Sequence, residues 1–150
     1  RLMLEVTDAV IGVWGHQRVG MHLAPRGDAH SMGDSDSLAT FSYVAAELGR
    51  RQIAFICTRE HVGPDSIGPK MKAVFGGVLI ANEQFTQESA EQVIARGDAD
   101  AVAFGKAFIA NPDLVERFRQ NALLNPPDMA TFYQGGSKGY TDYPALNVAA

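Results

Sequence analysis

Four short apolar runs, separated by segments with helical periodicity, constrain the fold of this chain more than any other feature. The runs cover residues 18–24, 53–58, 78–81 and 101–104, and each has the length of a β-strand. Between the first two, residues 37–48 place apolar side chains on one helical face, with Asp36 as a candidate N-cap and Gly49 as a candidate stop. Apolar strands alternating with helices predict an α/β fold with a parallel sheet covered on both faces.

Further helices are predicted on either side of the last runs. Thr86 is a candidate N-cap for a helix that Gly97 ends, and Asn111 followed by proline is a candidate N-cap for a helix to about residue 119. The chain also opens inside a helical pattern at residues 2–13 with no N-cap before it, and we expect it to be a piece of a longer protein. Strand and helix patterns alone fit either a doubly wound sheet or half of an eight-stranded barrel.

Composition narrows the class of protein. Hydrophobic residues make up 46% of the chain and charged residues 20%, which is typical of a globular domain. The net charge of -4 predicts neither a nucleic-acid partner nor binding to an anionic membrane. Cys57 is the single cysteine, which predicts no internal disulfide and favours a reducing, cytoplasmic location. The histidines show no ligand spacing, so no metal site is expected.

Candidate ligand-binding residues follow the last two predicted strands. Ligands of parallel α/β folds bind at the carboxyl ends of the strands, and a phosphate beside the last two strands of a barrel is a recurrent arrangement. The segment 104–107 (FGKA) offers Gly105, which lets a backbone come close, and Lys106, which supplies positive charge. The alternative is a simple turn followed by a solvated lysine.

Four segments of the chain resemble the Old Yellow Enzyme family, which includes N-ethylmaleimide and xenobiotic reductases. They are DAVAFGKAFIANPDLVERF (100–118), TFYQGGSKGYTDYPAL (131–146), RVGMHLAPRGD (18–28) and FGGVLIANEQFT (75–86). The resemblance covers residues 2–146. It implies that residues 1–150 form the C-terminal half (strands 5–8) of one FMN-binding (β/α)8 TIM-barrel domain, whose N-terminal half is absent from this chain and is its partner.

The same resemblance implies a reaction. Reduced nicotinamide, NADH or NADPH, gives a hydride to FMN, and flavin N5 passes it to an activated alkene such as an enone or maleimide. Some members also reduce nitro compounds or nitrate esters. The family's substrate-binding pair and tyrosine proton donor lie in the first half of the barrel, so the resemblance implies no catalytic residue in this half.

Site residues are also implied by the resemblance. It implies that the backbone amides of Glu83 and Gln84, after the third strand, hold the flavin phosphate, and that Gly105 and Lys106, after the fourth strand, complete that site. It also implies that His22 lies at the flavin N1/O2 edge. Phe132 and Tyr133 are the aromatic residues that shape the substrate channel.

Four positions depart from the common family pattern. Many relatives carry arginine where this chain has Lys106. Many also carry glycine followed by alanine or asparagine where it has Glu83 and Gln84, so we expect the Glu83 carboxylate to point away from the phosphate. Many also carry arginine at the position of His22. Arg26 could supply the positive charge that this position then lacks.

Two alternative functions remain open. One is an FMN barrel with other redox chemistry, such as oxidation of amines or dihydropyrimidines, and the other is a non-catalytic half-barrel.

Overall fold

A computed structural model describes residues 1–26, 33–61 and 63–146 of the chain. The chain divides into two compact units, Arg1–Ala103 and Phe104–Ala150. Residues 27–32, which include Asp28 and His30, lie outside the described residues.

The first unit alternates helices and strands, as the sequence predicts. Its helices are α1 (Leu2–Trp14), α2 (Ser37–Arg50), α3 (Gly68–Phe75) and α4 (Gln87–Ala95), with a 3-10 turn at His16–Arg18. Its strands are β1 (Gly20–Leu23), β2 (Phe55–Arg59), β3 (Val78–Asn82) and β4 (Ala101–Ala103). The second unit contains α5 (Lys106–Ala110), α6 (Leu114–Gln120) and a 3-10 turn at Met129–Thr131.

The four strands form one sheet in the order β1-β2-β3-β4, and every neighbouring pair is parallel. The parallel sheet predicted from the apolar runs is therefore confirmed. In its register, His22 lies beside Cys57, and Cys57 lies beside Ile80. Residues paired in a parallel register point to the same side of the sheet, so these three side chains share one face.

Within the described residues of the first unit, the helices pack on one face of this sheet. Leu23, Ile56 and Leu79 are at most 6% exposed and belong to the same core as Leu48 of α2 and Met71 of α3. The residues that alternate with them in the strands are exposed or half-buried. We call these the covered face and the open face. The sequence predicts a sheet covered on both faces, and the helices of this unit account for one of them. An apolar run does not reveal which of its alternating side chains a helix reaches.

Gly49 does not end α2, contrary to the prediction, since the helix continues to Arg50. A Cβ at Gly49 would overlap the Phe75 carbonyl oxygen at the end of α3. Glycine therefore allows the backbones of α2 and α3 to approach closely, and its role is packing rather than termination.

Two predicted N-caps are confirmed and one is wrong. The Asp36 side chain accepts a hydrogen bond from the Ala39 amide, and Thr86 forms a capping box with Ser89. The last helix instead begins after Asp113, because the Asn111 side chain is fully buried and bonds to other backbone groups. No helix within the described ranges is long and apolar enough to cross a membrane.

Candidate functional site

The carboxyl ends of β2, β3 and β4 form a rim at one edge of the open face. Arg59 is paired in register with Asn82, and Asn82 with Ala103. The Asn82 side-chain amide donates to the Ala103 carbonyl at 2.8 Å, and the Asn82 carbonyl accepts from the Glu60 amide at 2.9 Å. These two bonds fix the end of β3 to both neighbouring strands.

The backbone immediately after this rim adopts an unusual conformation. Glu83 has a φ of 104° and Gln84 a φ of 57°, both in the left-handed region that favours glycine. Among the described non-glycine residues, positive φ also occurs at Gln52 and Asn121, which follow helix ends, and at Tyr133. Tyr133 follows the 3-10 turn at Met129–Thr131. Glu83 and Gln84 are thus the two described non-glycine residues whose positive φ does not follow a helix end, and both are predicted site residues. Strained backbone of this kind concentrates at functional sites.

The Glu83 side chain is held by a neighbour on the rim. Its Oε2 accepts a hydrogen bond from Arg59 Nε at 2.6 Å, and the two side chains are 25% and 43% exposed. Arg59 and Asn82 were missed by the sequence reasoning. The alternation of Phe55, Cys57 and Arg59 along β2 was the available signal, because it places a charged side chain on the same face as two apolar ones.

His22 lies on the open face and is exposed, whereas Met21 and Leu23 point to the helices. Its register partner Cys57 is half-buried, and burial raises the pKa of the Cys57 thiol. At the amino end of the same face, the Phe55 ring lies against Gly20, where a Cβ would overlap it. The open face is therefore apolar at its amino end and polar at the rim.

Arg26, the alternative cation, is surrounded by acidic groups. Its Nη2 lies 2.9 Å from Asp65 Oδ2, and its Nη1 lies 3.7 Å from Glu60 Oε1. Glu60 is 5% exposed and also accepts from the backbone amides of Ile67 and Gly68, so it fixes the start of α3. A hydrogen bond from its own backbone amide and the neighbouring Arg26 hold the pKa of Asp65 below its usual range. The positive charge of Arg26 is thus balanced by the carboxylates of Asp65 and Glu60.

A cavity of about 190 Å³ lies behind the sheet rather than on the open face. The strand residues that line it, Thr58, Leu79 and Ala81, belong to the covered face, and Phe85 and Val93 close it on the helix side. It does not include any of the predicted site residues.

In the second unit, Gly105 and Lys106 stand at the start of α5. Gly105 has a φ of -90°, which other residues adopt as well, and a Cβ there would meet no atom within 4 Å. Neither the backbone conformation nor the packing of the described residues therefore requires glycine at this position. Lys106 is exposed.

Two tyrosine hydroxyls fix the segment that carries Phe132 and Tyr133. The Tyr133 amide donates to the Tyr140 hydroxyl at 2.8 Å, and the Asp128 amide donates to the Tyr143 hydroxyl at 2.7 Å. Tyr133 has a φ of 62° and is 94% exposed. Phe132 is 8% exposed and packs against the Tyr140 ring, with centroids 6.2 Å apart. Tyr133 is thus presented outward and Phe132 supports it.

Arg117 anchors the rest of this tail. It is 4% exposed, and its guanidinium donates to the Pro144 carbonyl at 2.8 Å and to Asp113 at 2.7 Å. The Leu146 amide, and after it Arg117, hold the pKa of Asp113 below its usual range. The Asn125 side chain donates to the same Pro144 carbonyl. The motif NPDLVER therefore organises the tail through buried polar bonds.

Comparison with known proteins identifies the family. Residues 1–125 match the family described as NADH:flavin oxidoreductase / NADH oxidase. The chain belongs to this family. Its Old Yellow Enzyme resemblance is confirmed by the old yellow enzyme homologue from Zymomonas mobilis, whose structure superposes with a TM-score of 0.92 at 36% identity over 97% of this chain and 43% of that one. Morphinone reductase in complex with tetrahydroNAD gives a TM-score of 0.92 at 44% identity over 99% of this chain and 41% of that one.

Curated relatives of similar sequence are flavin-dependent or oxophytodienoate reductases. A probable flavin mononucleotide-dependent alkene reductase from Leishmania infantum is 39% identical over 97% of this chain, and 12-oxophytodienoate reductase 1 from Oryza sativa subsp. japonica is 38% identical over 97%. The chain spans 41% of the length of each. The parallel α/β unit is thus the fold of part of these larger proteins.

Proposed function

We propose that this chain is the C-terminal half, strands 5–8, of an FMN-dependent (β/α)8-barrel reductase that uses NADH or NADPH to reduce activated alkenes. The observation that carries the proposal is the pair of consecutive left-handed residues, Glu83 and Gln84, at the carboxyl rim of the open face. The family match and the alkene reductases among the relatives support the chemistry.

The barrel part of the proposal rests on the asymmetry of the sheet. The order β1-β2-β3-β4 and the uniformly parallel pairing are those of consecutive βα units in a barrel. The open face, with Phe55 and Val78 at 36% and 46% exposure, becomes the barrel interior when an N-terminal half closes it. Residues 1–150 then belong to one domain that this half shares with its N-terminal partner.

The described residues fit the phosphate of FMN. The backbone amides of Glu83 and Gln84 lie after the rim, in a conformation that is uncommon for residues other than glycine. Gly105 leaves open space where a side chain would otherwise lie, although the fold itself does not require glycine there. Lys106 supplies an exposed cation. We assign the phosphate to these four residues.

His22 is assigned to the flavin N1/O2 edge. It lies on the open face one strand away from the half-buried Cys57, whereas the charge of Arg26 is matched by Asp65 and Glu60. His22 therefore stabilises negative charge on the flavin, and Arg26 pairs with the carboxylates of Asp65 and Glu60 instead. Tyr133, exposed and held by Tyr140, lines the substrate channel, with Phe132 beneath it.

When bound, FMN supplies hydride transfer from its N5 to the small-molecule substrate. This chain binds and orients the cofactor, and it contributes no proton donor. Nitro compounds and nitrate esters are further substrates within the same proposal. The single cysteine, Cys57, supports a cytoplasmic location.

The test is a spectroscopic and kinetic assay of the protein as its gene encodes it. We expect purified protein to carry FMN, and to oxidise NADH or NADPH when cyclohexenone or N-ethylmaleimide is added. Flavin reduction without enone turnover, together with amine or dihydropyrimidine oxidation, would assign other redox chemistry. A protein that binds no flavin would overturn the proposal.

A further inference from the structure

The ion pair between Arg59 and Glu83 joins the carboxyl ends of β2 and β3. Arg59 is the last residue of β2 and shares the open face with Phe55 and Cys57, and Glu83 follows the last residue of β3. The Arg59 Nε and Glu83 Oε2 atoms are 2.6 Å apart. The guanidinium therefore lies on the rim, beside the left-handed backbone that we assign to the FMN phosphate.

Glu83 is an unfavourable residue for that place. Its φ of 104° favours glycine, and its side chain brings a carboxylate to a segment whose amides are assigned to an anion. Like charges held close together in a partly buried site repel each other strongly. Glutamate is compatible with phosphate here if its carboxylate is turned away from the anion and held by a cation. Of the four residues assigned to the phosphate, Lys106 alone carries a positive charge.

We propose that Arg59 is a further phosphate-site residue, which neutralises Glu83 and supplies positive charge to the FMN phosphate. The inference rests on the proposed function. A guanidinium has five N–H donors in a planar fork, so pairing with one carboxylate oxygen is compatible with attraction of a second anion. The Arg59 side chain is 43% exposed, so a ligand can reach it. Arg59 thus belongs to cofactor binding and not only to the stability of the rim.

The test compares FMN with riboflavin, which has the same ring system but no phosphate. Both are titrated into the apoprotein of the gene product, and flavin fluorescence gives the dissociation constants. Arg59→Met keeps the aliphatic stem and removes the charge. It should weaken FMN binding about 10- to 100-fold, the range of a charge-assisted contact, and leave riboflavin binding within about twofold. Adding Glu83→Gln to Arg59→Met should restore much of the FMN affinity, because the repulsive carboxylate is gone.

Arg96→Met is the matched control. Arg96 forms a comparable ion pair with Asp98 at 2.7 Å, at the C-terminal end of α4, and its removal should leave the FMN-to-riboflavin preference unchanged. A wild-type protein with no preference for FMN over riboflavin would overturn the proposed phosphate site itself. A wild-type preference that persists in Arg59→Met would overturn this inference alone. Equal weakening of both flavins would assign Arg59 to the fold rather than to the phosphate.

Discussion

On the covered face of the sheet, Ile56 and Leu79 are 0% and 1% exposed, whereas their sequence neighbours on the open face, Phe55 and Val78, are 36% and 46% exposed. The covered face is packed by α2 and α3 and has no predicted site residue on it. The open face carries His22, Cys57 and Arg59, and strained backbone follows its rim. Burial on one side thus stabilises the unit, and the other side holds the groups with functional chemistry.

The largest expected effect is the loss of a buried side chain on the covered face. Ile56→Ala should lower the free energy of unfolding by about 2–5 kcal/mol, because it leaves a cavity in the core. His22→Ala, on the open face, should change it by at most about 0.5 kcal/mol when no flavin is added. Denaturant unfolding of both variants makes the comparison. Equal losses would mean that the two faces do not differ in stability.

A second prediction concerns the contact between the two helices that cover the sheet. Gly49→Ala should destabilise the protein by about 1–3 kcal/mol, since its Cβ overlaps the Phe75 carbonyl oxygen. Gly12→Ala, in the last turn of α1 with no atom within 4 Å of its Cβ, should instead stabilise by about 0.5–1 kcal/mol. Thermal unfolding measures both. If Gly49→Ala also stabilised the protein, the close approach of α2 and α3 would be refuted.

The features that the sequence alone could predict differ between these two faces. Apolar runs and capping residues such as Asp36 and Thr86 predicted the helices and the parallel sheet, because local patterns determine them. The single-sided cover and the role of Gly49 depend on long-range packing, which no local pattern contains. Site residues at Glu83 and Tyr133 came from family resemblance. The alternation along β2 could have placed Arg59 on the open face, but its pairing with Glu83 on another strand is a long-range contact that no local pattern contains.

His22 tests the open face through the flavin. His22→Ala should lower the flavin reduction potential by about 20–30 mV, the equivalent of losing a contact of about 1–1.5 kcal/mol in a two-electron couple. It should also slow reduction by nicotinamide, and His22→Arg should restore much of both. Potentiometric titration of the holoprotein measures the shift.

His16→Ala is the control for that experiment, because His16 bonds to the Gln52 carbonyl at the amino end of the sheet. The flavin reduction potential of the His16→Ala protein should equal that of the wild type. An unchanged potential and an unchanged reduction rate in His22→Ala would remove His22 from the flavin edge.

The smallest expected effect concerns acid stability on the covered side. Lys72, and after it the Leu79 amide, hold the pKa of Asp100 below its usual 3.8. A lowered pKa in the folded state means that the ionised group stabilises the fold above about pH 4, and that this contribution disappears as the pH falls through the folded pKa. Asp100→Asn should therefore be less stable than wild type at pH 7, and the difference should shrink below pH 4. A difference that stays constant from pH 7 to pH 3 would contradict this linkage.

The most direct test of the central claim, that the rim of the open face and the segment after β4 bind the FMN phosphate, is the FMN affinity of Gly105→Val. Because a Cβ at Gly105 meets no atom of the described chain within 4 Å, the variant should unfold at the wild-type temperature. Its FMN affinity should nevertheless fall by more than that of Lys106→Ala, for which we expect a loss of about 1–3 kcal/mol. Flavin fluorescence titration of the two variants and the wild type gives both values. Equal FMN affinity in wild type and Gly105→Val would contradict the account.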